Sequence, residues 1–102
     1  MSKSRLELHE LLVNILGSRY VYYQPPENFK LKYPCIVYER SDIRTVNADN
    51  KKYATHKQYS VTVIDKNPDS DIPDKILELP YSSFDRHFVY DNLNHDVLTV
   101  FY

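Results

Sequence analysis

Two histidines and three carboxylates crowd the C-terminal stretch "FDRHFVYDNLNHDVLTVFY": Asp85, His87, Asp91, His95 and Asp96. Imidazole and carboxylate together are the side chains of metal coordination and of general acid–base catalysis. His87 and His95 would meet if they faced each other across a hairpin. Three observations weigh against such a site. The four histidines, His9, His56, His87 and His95, include no pair at the close spacing of a helical zinc motif. The lone cysteine, Cys35, sits inside the apolar run "CIVY" and reads as a buried, inert thiol. Alternation along the first strand of this stretch puts Phe84, Phe88 and Tyr90 toward the core and Asp85, His87 and Asp91 outward, with Arg86 at the core rim. "DNLNH" then reads as a turn, and the polar residues are the solvent side of a scaffold.

Other chemistries fare no better. Gly17 is the only glycine, so the phosphate-cradling loop, the dinucleotide fold and the nucleophile elbow have none of the glycines they need. Ser60, Ser82 and Ser83 lack an elbow, and Asp69 and Asp71 occupy turn and cap positions. No catalytic, metal-binding or cofactor-binding residue is expected. Lys51, Lys52 and Lys57 with Tyr53 and Tyr59 form the nearest approach to a basic aromatic patch. Asp49 dilutes it, and 13 Lys and Arg against 14 Asp and Glu leave a net charge of −1. Sequence-specific nucleic acid binding is therefore not expected. The N-terminus "MSKSRLELHE" has no apolar leader region, and no apolar run approaches a membrane span. The expectation is a soluble intracellular chain with no membrane partner.

The elements around these residues can be read from pattern. Residues 1–102 suit a single domain. "SRLELHELLVNILG" predicts a helix: Ser4 and Glu7 form a capping box, Leu8, Leu11, Leu12, Ile15 and Leu16 make one apolar face, and Gly17 ends it. "SRYVYYQ" predicts a short strand stopped by Pro25 and Pro26, and "PCIVYERSD" a stronger one. "KQYSVTVIDK" is the clearest strand, with Tyr59, Val61 and Val63 alternating with Ser60, Thr62 and Ile64. "SDIPDKILELPY" predicts a second, short helix, followed by strands over about 84–90 and 96–102. The order α-β-β-β-α-β-β predicts an α+β fold: one mainly antiparallel sheet of four to five strands with both helices on one face.

Residues 41–56, "SDIRTVNADNKKYATH", are polar and end-to-end too long for an ordinary turn. They predict either a protruding hairpin that extends the flanking strands or a mobile loop. Ten tyrosines favour protein contacts, and "VLTVFY" suggests a last strand with an open edge for a neighbouring subunit. These features point to a non-catalytic assembly role.

Nearly the whole chain resembles small phage tail terminator and tail-completion (tail-to-head joining) proteins of long-tailed phages and related prophages. The resemblance rests on "YPCIVYER", "YSVTVIDKNPDS", "IPDKILELP" and "FDRHFVYDNLNHDV". It implies an α+β subunit of a homo-oligomeric ring, commonly a hexamer, at the head-proximal end of the tail tube. Such a ring stops tube polymerisation and offers a docking surface to the head connector, or stopper, protein. The tail tube protein and the connector would be its partners. The chain would work in the host cytoplasm during assembly and then in the virion tail or neck. The resemblance also implies that the excursion at about 41–56 contacts the ring or a neighbour. The regional contact residues are Arg40, Asp42, Arg44, Asn47, Asp49, Asn50, Lys51, Lys52 and Tyr53. Alternatives are another neck or head-completion connector protein, and a small metal-binding enzyme using His87, His95 and nearby Asp residues.

Overall fold

A computed structural model describes residues 4–48 and 51–102; within 42–48 and 51–56 it describes the backbone alone. The chain runs α1 (Arg5–Leu16), β1 (Val21–Tyr23), β2 (Cys35–Ala48), β3 (Lys51–Asp65), α2 (Ile72–Ile76), β4 (Ser82–Tyr90) and β5 (Leu93–Phe101). This is the predicted element order. The five strands form one sheet in the order β1-β2-β3-β5-β4. All neighbours pair antiparallel except β1 and β2, which run parallel. A parallel pair needs a crossover. Here residues 24–34 supply it without any helix, carrying Pro25, Pro26, Phe29 and Leu31 across the sheet face opposite α1 and α2.

Helix α1 forms where its caps and its stripe agree. The Ser4 hydroxyl accepts the Glu7 backbone N–H at 3.2 Å. Leu8 and Leu12 are fully buried one turn apart. Gly17 closes the helix at φ 82°, its N–H donating to the Val13 carbonyl at 2.9 Å. That left-handed conformation is what a Cβ resists. No atom lies within 4 Å of where the methyl would stand. Gly17→Ala should therefore cost about 1 kcal/mol through backbone conformation alone, read as a lower urea midpoint with an unchanged slope.

Alternation sorts the sheet into two faces. Cross-strand partners share a face, so Ile36, Tyr38, Tyr59, Val61, Val63, Leu98 and Val100 stand together on one side. Leu8 and Leu12 of α1 and Ile72 and Ile76 of α2 close over them as one core. The opposite face holds Cys35, Val37, Thr62, Ile64, His95 and Val97.

The last two strands depart from their sequence reading. Strand β5 starts earlier than predicted and lies in the interior of the sheet, bonded to β3 on one side and β4 on the other. It has no open edge. The outer strand is β4, whose residues after Ser82 are all exposed. Phe84, Phe88 and Tyr90 are not core residues; their exposures are 46, 39 and 72%. Two causes act: β4 is the outermost strand, which leaves Phe84 half-exposed, and a β-bulge turns Phe88 and Tyr90 away from the helices. Phe84 pairs with Leu98 and Arg86 with Val97, so Asp85 is an extra residue and the alternation slips by one. Phe84 therefore stands on the helix-covered face, while Arg86 and Phe88 stand on the other. The turn is also tighter than predicted. Asp91 and Asn92, at φ 54 and 61°, form a two-residue hairpin loop of the type that Asp and Asn tolerate.

Candidate functional site

The His/Asp group of the C-terminal hairpin is divided by the sheet. His87 pairs across to Asp96 on the helix-covered face, with Nδ1 and Oδ1 2.7 Å apart. His95 pairs with Phe88 on the opposite face, where the two rings stack at 4.6 Å. The His95 Nδ1 lies 3.0 Å from the Leu93 carbonyl oxygen, which can accept its hydrogen. Asp85 accepts the Thr99 hydroxyl at 2.8 Å, and Asp91 belongs to the turn. The five residues are thus held in separate local partnerships by one strand pair. Among the described residues, no three His, Cys, Asp or Glu side chains gather into a group that could hold a metal.

Cys35 is fully buried, and burial pushes its thiol up to about 12. A thiol held protonated is a poor nucleophile. Native protein at pH 8 should react with a disulfide-exchange reagent only as fast as it opens, and immediately once unfolded in urea.

Strands β2 and β3, 14 and 15 residues long, are the largest feature that the sheet itself does not absorb. Pairing of β3 with β5 ends at Gln58 opposite Phe101, and one further link joins Lys57 to Tyr102. Beyond that level, among the described strands, β2 and β3 pair with each other alone, from Arg44 opposite His56 to Ala48 opposite Lys51. Residues 41–48 and 51–56 are therefore a two-stranded arm that continues the sheet. At about 3.3 Å per residue it extends roughly 20 Å. Two register shifts, between Arg40 and Asp42 and between Val46 and Asn47, bend it. At the first of them the Ser41 hydroxyl donates to the Gln58 carbonyl at 3.1 Å.

Of the expected contact residues, Arg40 is exposed at the base of the arm opposite Tyr59. Asp42, Arg44, Asn47, Lys51, Lys52 and Tyr53 are placed along the arm by backbone only. Asp49 and Asn50 lie outside the described residues.

Sequence reasoning missed a polar cluster that joins α1 to the sheet. Tyr38 is fully buried, yet its hydroxyl is satisfied. It lies 2.7 Å from His9 Nδ1 and accepts from an Arg5 guanidinium N–H at 3.2 Å. The Arg5 guanidinium also sits 4.3 Å from the Tyr23 ring centre, and Tyr23 and Tyr59 pack on the Tyr38 ring. The signal was helical spacing: Arg5 and His9 are four residues apart, so they share one helix face. Burial, and then the Arg5 charge, hold the His9 pKa below the ordinary imidazole value. A lowered folded-state pKa means that the unfolded chain binds more protons. The His9 contribution to stability is complete above the ordinary value of 6.5 and is lost as pH falls through the lower folded value. His9→Gln should flatten the loss of thermal stability between pH 7 and 5.

A cleft of about 390 Å³ opens on the face away from the helices, between the 24–34 crossover and Ile64, Phe88 and His95. Its walls are largely apolar, with Glu27 at one side. No helix of the described chain is long and apolar enough to cross a membrane.

No protein-family model matches the chain, and no curated protein matches it.

Proposed function

We propose that this protein is a structural assembly subunit of a phage tail, a tail terminator whose ring caps the head-proximal end of the tail tube and presents a docking surface to the head connector. What carries the reading is the β2–β3 arm. It lies in the stretch that the resemblance assigns to contacts with a ring neighbour, and it leaves the domain as paired backbone. A two-stranded arm orders residues outside the core at a cost in conformational entropy, and contact with a partner would offset that cost. The α+β domain below it is the platform that such a ring requires.

The test is tube polymerisation. Purified tube protein encoded beside this chain should form tubes of unlimited length alone and short, blunt, ring-capped tubes when the chain is added. Tubes that elongate unaffected, with no chain at their ends, would overturn the proposal. Binding to the connector but not to the tube would assign the chain instead to the head side of the neck.

A further inference from the structure

We propose that strand β4 pairs antiparallel with β4 of a second copy, in one register centred on Phe88, joining the two five-stranded sheets into one. This inference stands on the edge geometry of β4 and does not depend on the tail-terminator reading.

Among the described strands β4 has one neighbour, β5, so its other side is an open row of backbone donors and acceptors. Edge strands of soluble proteins are usually guarded by lysine, proline or a covering element. Between Ser82 and Tyr90 there is no lysine and no proline, and the guards that are present, Asp85, Arg86 and the bulge between Phe84 and Arg86, sit together at the start of the strand and leave the run toward Tyr90 without one. Val89 and Tyr90 are 62 and 72% exposed. The bulge at Asp85 closes off one end of this edge and the Asp91–Asn92 turn the other. What remains is the regular run Arg86–Tyr90.

The turn fixes which groups point outward. In a two-residue hairpin the closing pair, here Tyr90 and Leu93, exchanges both of its hydrogen bonds. Pairs then alternate, so Phe88 and Arg86 also spend their N–H and C=O groups on β5. His87 and Val89 direct theirs to the open side. A second β4 must meet these two residues. Two-fold pairing about Phe88 sets His87 of one copy opposite Val89 of the other, twice, and each such pair exchanges two backbone bonds. It is the one register that uses every residue of the run.

The side chains fit the same register. Phe88 meets Phe88 of the second copy as a close, non-hydrogen-bonded pair, beside the stacked His95 rings. Arg86 comes opposite Tyr90 of the second copy, a cation beside an aromatic face. Within Arg86–Tyr90 no like charges oppose; one step further out Asp85 would come opposite Asp91 of the second copy, so the pairing stops at the bulge and the turn. Shifting the centre to His87 sets histidine against histidine and Asp85 against Val89. Shifting it to Val89 sets valine against valine and leaves Phe88–Tyr90 as the one other pairing within the strands. The two-fold axis stands perpendicular to the sheet, so both copies keep their helices on one side and their clefts on the other.

The experiment is register-specific crosslinking of the full chain, free of tube protein, in a Cys35→Ala background. Phe88→Cys should oxidise to a covalent dimer. Val89→Cys alone should not, because its two copies sit two residues out of line and beyond the 7 Å reach of a disulfide. A mixture of Val89→Cys and His87→Cys chains should form the heterodimer. Sedimentation of the unmodified chain should show a reversible dimer that Val89→Lys shifts to monomer with unchanged circular dichroism. A monomer at every concentration, or equal crosslinking at Phe88→Cys and Val89→Cys, would overturn the pairing. Because tube capping is read in a separate assay, failure of either proposal leaves the other standing.

Discussion

Leu98→Ala should lower the unfolding free energy by about 2–5 kcal/mol, the range for removing a leucine from a well-packed core. Phe84→Ala, its direct cross-strand neighbour on the same face, should cost about 1 kcal/mol. The two positions differ in what surrounds them. Leu98 is fully buried, with Val61 of β3 on one side, Phe84 of β4 on the other and the α1–α2 layer closing the core. A cavity there cannot collapse, because strands flank it on both sides. Phe84 stands on the outer strand with 46% of its surface exposed, so its truncation removes area that was half solvated already. Urea titrations of both variants, at concentrations where the chain is monomeric, decide the matter. Equal costs would mean that Phe84 is packed as closely as Leu98 and that β4 is not a half-solvated outer strand.

The second large effect concerns the arm. Replacing residues 44–56 by Asn-Gly keeps Ile43 opposite Lys57 and closes the strands with a two-residue turn. The domain should stay folded, because along these strands the described core ends at Tyr38 and Tyr59. Thermal midpoints should stay close to those of the full chain. Binding to the tube end should weaken by on the order of 100-fold, the loss expected when a contact element carrying about 2–3 kcal/mol is removed. Tube length distributions by electron microscopy, alongside circular dichroism, separate the outcomes. A folded, armless chain that still caps tubes would remove the arm from the mechanism. An unfolded one would show that the arm belongs to the domain after all.

Much of the fold was legible because its signals are local. Ser4, Glu7, the leucine stripe and Gly17 delimit α1, since each cap or stripe acts within a turn or two of the helix. The alternation of Tyr59, Val61 and Val63 sets the core face of β3, because each strand side chain answers to the face it occupies. Pro25, Pro34 and Pro80 punctuate the chain by removing donors and fixing φ. The polar excursion at 41–56 was visible as an anomaly of length and composition, with a protruding hairpin and a mobile loop as its two expected forms.

What the sequence could not supply is spatial neighbourhood. The run "VLTVFY" has the look of an edge, yet β5 is interior because β3 reaches it from across the sheet, and strand order is a long-range choice with no local marker. The bulge at Asp85 reverses the phase of every later residue in β4. One inserted residue thereby moved Phe88 and Tyr90 to the face away from the helices and parted His87 from His95. The consecutive apolar residues Phe88, Val89 and Tyr90 were the available hint, since a half-buried strand does not place three in a row. Sequence by itself determined the elements, the core face of the central strands and the absence of any glycine-dependent motif. Only the tertiary structure decided which strand is outermost and which side chains meet, because side-chain periodicity fixes faces while pairing between distant strands fixes neighbours.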